Sequence, residues 1–282
     1  YMNVLAQGAA IANTSGAFGL AISEHMLAML LMLIKRLHQY RDNQHNREWR
    51  DMGSVTSVEG ATAVILGLGD IGGEFARRLK ALGAYTIGVR RTDGVKPPYV
   101  DELVLTGALE SVLPRAQILA MALPGTPDTA RILDAGRIAL MPDGAVVLNV
   151  GRGTAIDQQA LADAIQTRGF RAGLDVTYPE PLPADSPLWG LENCVITPHV
   201  SGYFHLRATL DNMVKIACEN SPQTINTAHS ASFQPGNPVC AGGVRPAHHA
   251  SQTVPTNAAY TTNPRYNVAC MRSSCPPSTP MA

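Results

Sequence analysis

The sequence carries no excess of either charge: 22 Lys and Arg balance 22 Asp and Glu. Attraction to nucleic acid or to an anionic membrane surface needs a positive excess, so neither partner is expected. Long apolar runs are also missing. Crossing a bilayer takes roughly 18 uncharged residues; the longest candidate, Met26 to Ile34, falls far short and follows Glu24 and His25. No basic segment with an apolar stretch and a small-residue cleavage site opens the chain, so no secretory signal is expected. Tyr1 in place of Met reads as the start of a fragment. Cysteine is sparse. Cys194, Cys218, Cys240, Cys270 and Cys275 include no CxxC pair, and their odd number argues against a disulfide framework. The same spacing argues against structural zinc, and a reducing cytoplasm is the expected compartment.

The 282 residues suffice for one large domain or two smaller ones, and they divide by composition. In 1–53, a turn at Ser15-Gly16 precedes an almost continuously apolar segment, Leu20 to Tyr40. A helix apolar on nearly all sides is expected to be buried on nearly all sides; Arg41 to Gly53 then reads as a linker or arm. In 54–202, strand-like Thr62–Leu66, Ala84–Val89, Ile118–Leu123, Val146–Val150, Ala172–Val176 and Val195–Thr197 occur with helix-like Gly73–Leu82 and Gln158–Thr167. Apolar strands with intervening helices predict an α/β fold, a doubly wound parallel sheet covered on both faces. A short helical stretch, 203–220, follows. The last part, 221–282, contains no Asp, Glu, Lys or Leu and no helical or strand periodicity. Such a composition buries too little apolar surface to offset its ordering entropy, and it reads as a disordered or out-of-frame tail.

Gly67-Leu68-Gly69-Asp70-Ile71-Gly72 is a G-x-G-x-x-G string between the first strand and the first helix of 54–202. That context makes it a Rossmann-type dinucleotide loop. Gly67 permits the tight turn, Gly69 lets backbone approach a pyrophosphate, and Gly72 lets helix and strand pack closely. The helix N-terminus offers N–H groups and partial positive charge to the phosphates. NAD enzymes usually place an acid at the end of the second strand, about 20 residues on, to hold the ribose hydroxyl. Arg90, Arg91 and Thr92 stand there instead. A cation suits a 2′-phosphate, so NADP is favoured over NAD, although Asp93 lies close enough to restore NAD binding.

Four further motifs follow in order: Leu123-Pro124-Gly125-Thr126-Pro127-Asp128-Thr129, Asn149-Val150-Gly151-Arg152-Gly153, Asp175-Val176-Thr177-Tyr178-Pro179-Glu180-Pro181, and Thr197-Pro198-His199-Val200-Ser201-Gly202. With the glycine loop, the series resembles the D-2-hydroxyacid dehydrogenase family, the group of glyoxylate/hydroxypyruvate reductases and phosphoglycerate dehydrogenases, over roughly residues 13–220. The resemblance implies that Arg152 binds the substrate carboxylate and carbonyl, His199 is the general acid/base, Glu180 pairs with it, and Asp175 meets the nicotinamide carboxamide. It adds Leu123, Pro124, Val150 and Gly202 to the cofactor-binding set. It further implies a homodimer, a small 2-keto or 2-hydroxy acid substrate, and a second, substrate-binding lobe, of which 1–53 is a remnant with the interdomain helix, 203–220 being the returning helix.

The chemistry asks for these residue types independently. Reducing a 2-keto acid delivers a hydride to carbon and a proton to oxygen, and histidine is the natural donor near neutral pH. A neighbouring carboxylate favours its imidazolium form. A guanidinium grips an α-keto carboxylate at two points. Two other readings stay open: a dinucleotide-binding fragment with impaired catalysis, and a dinucleotide-sensing corepressor-like module. Formate dehydrogenases pair their histidine with Gln, unlike Glu180. Deleting 221–282 is expected to leave the melting temperature nearly unchanged; a fall of several degrees in a thermal scan would contradict the compositional reading of that tail.

Overall fold

A computed structural model of the protein describes residues 13–203 and 206–220. The tail expected over 221–282 lies outside the described residues.

The described chain runs α1 (Gly19–Ile34), α2 (Leu37–Asn46), β1 (Thr62–Leu66), α3 (Asp70–Ala81), β2 (Tyr85–Arg90), β3 (Glu102–Leu105), α4 (Leu109–Val112), β4 (Ile118–Met121), α5 (Ala135–Leu140), β5 (Val146–Asn149), α6 (Gln158–Arg168), β6 (Arg171–Leu174), β7 (Cys194–Ile196) and α7 (Arg207–Glu219). The seven strands form one sheet in the order β3-β2-β1-β4-β5-β6-β7. Each neighbouring pair is parallel. The expected doubly wound sheet is therefore present. The reversal of strand order lies between β1 and β4, where such sheets open a ligand crevice beyond the strands' carboxyl ends.

Side chains alternate across the sheet. Ala63 and Ile65 face one layer, packed with Met26, Met29, Leu30 and Leu33 of α1 and Phe75, Ala76 and Leu79 of α3. Val64 and Leu66 face the other, with Leu109, Leu113, Ile138, Leu161, Ile165 and Phe170. β4 and β5 are buried at every position, which is why they read as unbroken apolar runs.

The structure corrects three sequence expectations. The single helix over Leu20–Tyr40 is two helices, because Arg36 adopts a left-handed backbone at φ 57°. The Lys35 and Arg36 side chains there donate to the carbonyls of Thr56 and Ser54. Part of the expected linker is consequently helical, and Tyr40 of α2 holds Asp51 at 3.0 Å as the segment folds back. Second, α1 is not buried all round: Ala28 is exposed and Leu27 and Leu31 are half-buried. Third, β3 and α5 were not anticipated. β3 is a four-residue edge strand with no fully buried position. α5 spans six residues with a glycine inside and starts from an Asp134 cap.

One glycine shows how tightly α3 seats on β1. A Cβ at Gly72 would lie 1.8 Å from the Gly67 carbonyl oxygen and 3.2 Å from Ile65 Cγ2. Gly72→Ala is expected to cost at least the roughly 1–3 kcal/mol typical of overpacking, measured by urea denaturation. Gly107→Ala, whose Cβ meets nothing within 4 Å, serves as the near-neutral control. Equal stability of the two variants would contradict the close helix–strand contact.

Candidate active site

The glycine loop leaves β1 at the sheet's carboxyl edge. Gly67, at φ 93°, turns the chain while its N–H donates to the Val89 carbonyl at 2.9 Å. Gly69 caps α3 without any side-chain hydrogen bond, and a Cβ there would meet nothing within 4 Å. The loop thus presents bare backbone and a helix N-terminus to open space, the surface a pyrophosphate requires. The Asp70 carboxylate lies against Gly19 at the start of α1, and Ile71 packs onto the core.

Beside the loop is a cleft of about 480 Å³, lined among others by Gly67, Arg90, Arg91, Thr92, Leu123 and Pro124. Arg90 ends β2 and its guanidinium folds toward Gly94. Among the described residues its Nε and Nη2 are buried without a hydrogen-bond partner. An unpaired buried cation is costly, so this group is set up for an anion. Arg91 and Thr92 are exposed. Thr126, Asp128 and Thr129 also line the cleft; they sit in the quoted Leu123–Thr129 motif but were not singled out. Val150 is buried at the end of β5, its N–H donating to the Met121 carbonyl. Gly202 lies close to Phe18.

At the ends of β6 and β7 the chain brings His199 and Glu180 together, with Nδ1 2.9 Å from Oε2. The other carboxylate oxygen of Glu180 accepts from the Thr177 N–H at 3.1 Å. Gln158, at the start of α6, holds Tyr178 through both its carbonyl and its N–H; no sequence signal marked that residue. His199 has φ 55°, a strained choice for a non-glycine residue and one that clusters at functional sites. The pair is half-exposed, 51% for the histidine side chain and 39% for the glutamate, so it contributes little to stability. Arg152, exposed after β5, packs across Gly125 and donates from Nη1 to the Gly151 carbonyl at 2.6 Å.

The description "D-isomer specific 2-hydroxyacid dehydrogenase, NAD binding domain" matches residues 27–201. The chain belongs to this family. D-3-phosphoglycerate dehydrogenase of Mycobacterium tuberculosis is 35% identical over 198 residues, 69% of this chain and 37% of that protein. The chain therefore spans little more than a third of the phosphoglycerate dehydrogenases it matches. Glyoxylate/hydroxypyruvate reductase B of Yersinia pestis is 32% identical over 223 residues, 76% of this chain and 67% of that protein. Among solved structures, a D-isomer specific 2-hydroxyacid dehydrogenase of Xanthobacter autotrophicus, in complex with NADPH and MES, superposes with a TM-score of 0.65 at 27% identity, covering 79% of this chain and 89% of that one.

In this domain Asp175 organises the His199 segment. It is 1% exposed. Its Oδ1 accepts from the Thr197 hydroxyl at 2.6 Å and the Val200 N–H at 2.9 Å. Its Oδ2 accepts from the Ser201 N–H at 3.1 Å, and its backbone carbonyl takes the His199 N–H at 2.8 Å. Burial pushes the carboxyl upward, but the hydrogen bonds from Ser201, Thr197 and the Val200 backbone together outweigh it and hold the group below the ordinary value. Cys194, by contrast, is a thiol pushed up to about 12 by burial, which leaves it unreactive.

A carboxyl held below the ordinary aspartate value of 3.8 stabilises the fold above that pH, and the contribution fades as pH falls through the lower folded value. Wild type is expected to lose more stability than Asp175→Asn between about pH 7 and about pH 3 in denaturant titrations. Equal losses would contradict the account of Asp175.

Proposed function

We propose that the chain is the dinucleotide-binding part of an NAD(P)-dependent oxidoreductase that interconverts a D-2-hydroxy acid and its 2-keto acid. The observation that carries the reading is the 2.9 Å His199–Glu180 contact at the same sheet edge as the unobstructed glycine loop. The bound dinucleotide supplies the hydride. The chain's own residues do the rest. His199 holds a proton on its imidazole for the carbonyl oxygen, and Glu180 orients the ring through Nδ1, leaving Nε2 to face the substrate. Arg152 anchors the substrate carboxylate. Gly67, Gly69 and Gly72 with the α3 N-terminus receive the pyrophosphate. Asp175 stands near the nicotinamide end, with Leu123, Pro124, Val150 and Gly202 completing the cofactor set.

NADP is the favoured cofactor. The unpartnered buried nitrogens of Arg90 support this, and a related Rhizobium etli 2-hydroxyacid dehydrogenase has been solved in complex with NADP. The substrate is a small 2-keto acid of the kind its relatives' names indicate, glyoxylate or hydroxypyruvate. A homodimer is part of the reading, supported by the exposed apolar side chains of Trp49 and Leu37, as is a cytoplasmic setting, supported by the free Cys194. Residues 1–53 are read as a remnant of the substrate lobe with the interdomain helix, and 203–220 as the returning helix. The half-exposed His199–Glu180 pair favours one second reading, a dinucleotide-binding chain with little turnover of its own.

Fluorescence titrations with NADPH and NADH are expected to favour NADPH by about ten- to hundredfold, the worth of one charge-assisted contact of roughly 1.5–3 kcal/mol. Equal affinities would remove the NADP assignment. Steady-state reduction of glyoxylate and hydroxypyruvate is expected to fall by roughly 10²–10⁴-fold in His199→Ala with dinucleotide binding unchanged. Glu180→Gln should add little to His199→Ala, because the two act as a unit. Undiminished turnover in His199→Ala would refute the assignment. Tight binding with no turnover in wild type would select the second reading.

A further inference from the structure

We propose that His25 of α1 is a positioning residue for His199, acting through Thr197 as an Nε2–H donor. The inference rests on the reading of His199 as the acid/base, and it concerns a residue outside the glycine loop and outside the His199–Glu180 pair.

Hydrogen bonds link Tyr203 to His25, His25 to Thr197 and Thr197 to Asp175, and one proton arrangement satisfies them together with a neutral imidazole. Thr197 Oγ1 lies 2.6 Å from the buried carboxylate of Asp175, so its hydroxyl donates there. His25 Nε2 lies 3.0 Å from the same Oγ1, which must then accept, so Nε2 carries the hydrogen. In a neutral ring Nδ1 is left as an acceptor, and the Tyr203 hydroxyl stands 3.3 Å from it. The protons therefore point one way, from Tyr203 to His25 to Thr197 to Asp175. Burial pushes the His25 imidazole toward its neutral form, with Asp175 opposing more weakly, in agreement with that arrangement. Asp175 Oδ1 lies 3.8 Å from Nε2, beyond direct hydrogen-bond reach, so Thr197 is the link.

The far end of this chain is the segment that carries His199. Asp175 also accepts from the N–H groups of Val200 and Ser201, on either side of the residue whose left-handed backbone must be held in place. Tyr203, just beyond, stacks obliquely on His25 with ring centroids 5.6 Å apart. Helix α1 is anchored in the core by Met26, Met29 and Leu30. His25 is thus a rigid post. It fixes the Thr197 hydroxyl, which fixes the Asp175 carboxylate, which fixes the backbone around His199. A sub-ångström drift of an acid relative to its substrate is the kind of change that costs rate without costing binding.

The test uses His25→Phe, which keeps the ring and its Tyr203 contact but removes the donor, His25→Gln, which keeps a side-chain N–H at similar reach, and Thr197→Val, which breaks the next link. His25→Phe is expected to lower kcat about ten- to hundredfold while the NADPH dissociation constant stays within about twofold. His25→Gln should recover most of the rate. The double variant His25→Phe/Thr197→Val should be no slower than Thr197→Val alone, as expected of residues coupled in one network. Two readouts need no turnover: ¹⁵N spectra of His25 should show the Nε2–H tautomer, and hydrogen exchange at the Val200 and Ser201 amides should accelerate in His25→Phe and in Thr197→Val. Additive rate losses, full activity in a folded His25→Phe, or an Nδ1–H tautomer would overturn the proposal. If wild type shows no turnover, the functional reading fails by itself, and the tautomer and amide exchange still decide whether His25 sets the 197–201 segment.

Discussion

Every strand of the sheet points the same way, and the site follows from that constraint. Parallel strands deliver their following loops to a single edge, whereas antiparallel ones would divide them between two. Gly67 after β1, Arg90 at the end of β2, Leu123 after β4, Arg152 after β5, Asp175 after β6 and His199 after β7 all emerge on one rim. These residues are scattered over more than a hundred positions in sequence. The sheet converges them with no long-range contact needed beyond its own ladder. That ladder survives because its strands are buried on both faces by α1 and α3 on one side and α4, α5 and α6 on the other.

Convergence alone does not orient a side chain. The rim segments are pinned by groups that are themselves buried or held. Asp175 gathers Thr197, Val200 and Ser201 around its carboxylate, and Gln158 fastens Tyr178 from the neighbouring helix. Glu180 is held on one oxygen by the Thr177 N–H and meets His199 with the other. The exposed pair at the surface is thus supported by a buried shell underneath, the arrangement that keeps a reactive geometry within narrow limits. The cofactor side is looser. Arg90 carries its unpaired nitrogens, and the bare backbone at Gly69 faces open space.

Much of this was legible in the sequence because it depends on local signals. β1 was expected over Thr62–Leu66 and forms there; a five-residue apolar run that ends in glycine leaves little choice. The glycine loop stood out because it joins a strand to a helix, whereas Arg152, Glu180 and His199 were implied by the family resemblance that their motifs carry. The break at Arg36 was not legible. Apolar periodicity continues through it, and the left-handed turn is stabilised by partners some 20 residues away, Ser54 and Thr56. β3 escaped notice because an edge strand needs little burial. The turn of Asp70 toward Gly19 and the role of Gln158 depend on tertiary neighbours that no spacing encodes. The part played by His25 was not legible either, because its partners, Thr197 and Tyr203, lie 172 and 178 positions away.

The central claim is that a dinucleotide binds across the carboxyl edge of this sheet, from the glycine loop to the His199 segment. Hydrogen–deuterium exchange with and without NADPH tests it at the level of individual segments. The account predicts slowed exchange in the loop after β1, in the residues following β2, and at the ends of β4 to β7, with the α2 segment unaffected. Unchanged exchange at the glycine loop, or protection confined to the region around Tyr40 and Trp49, would contradict it.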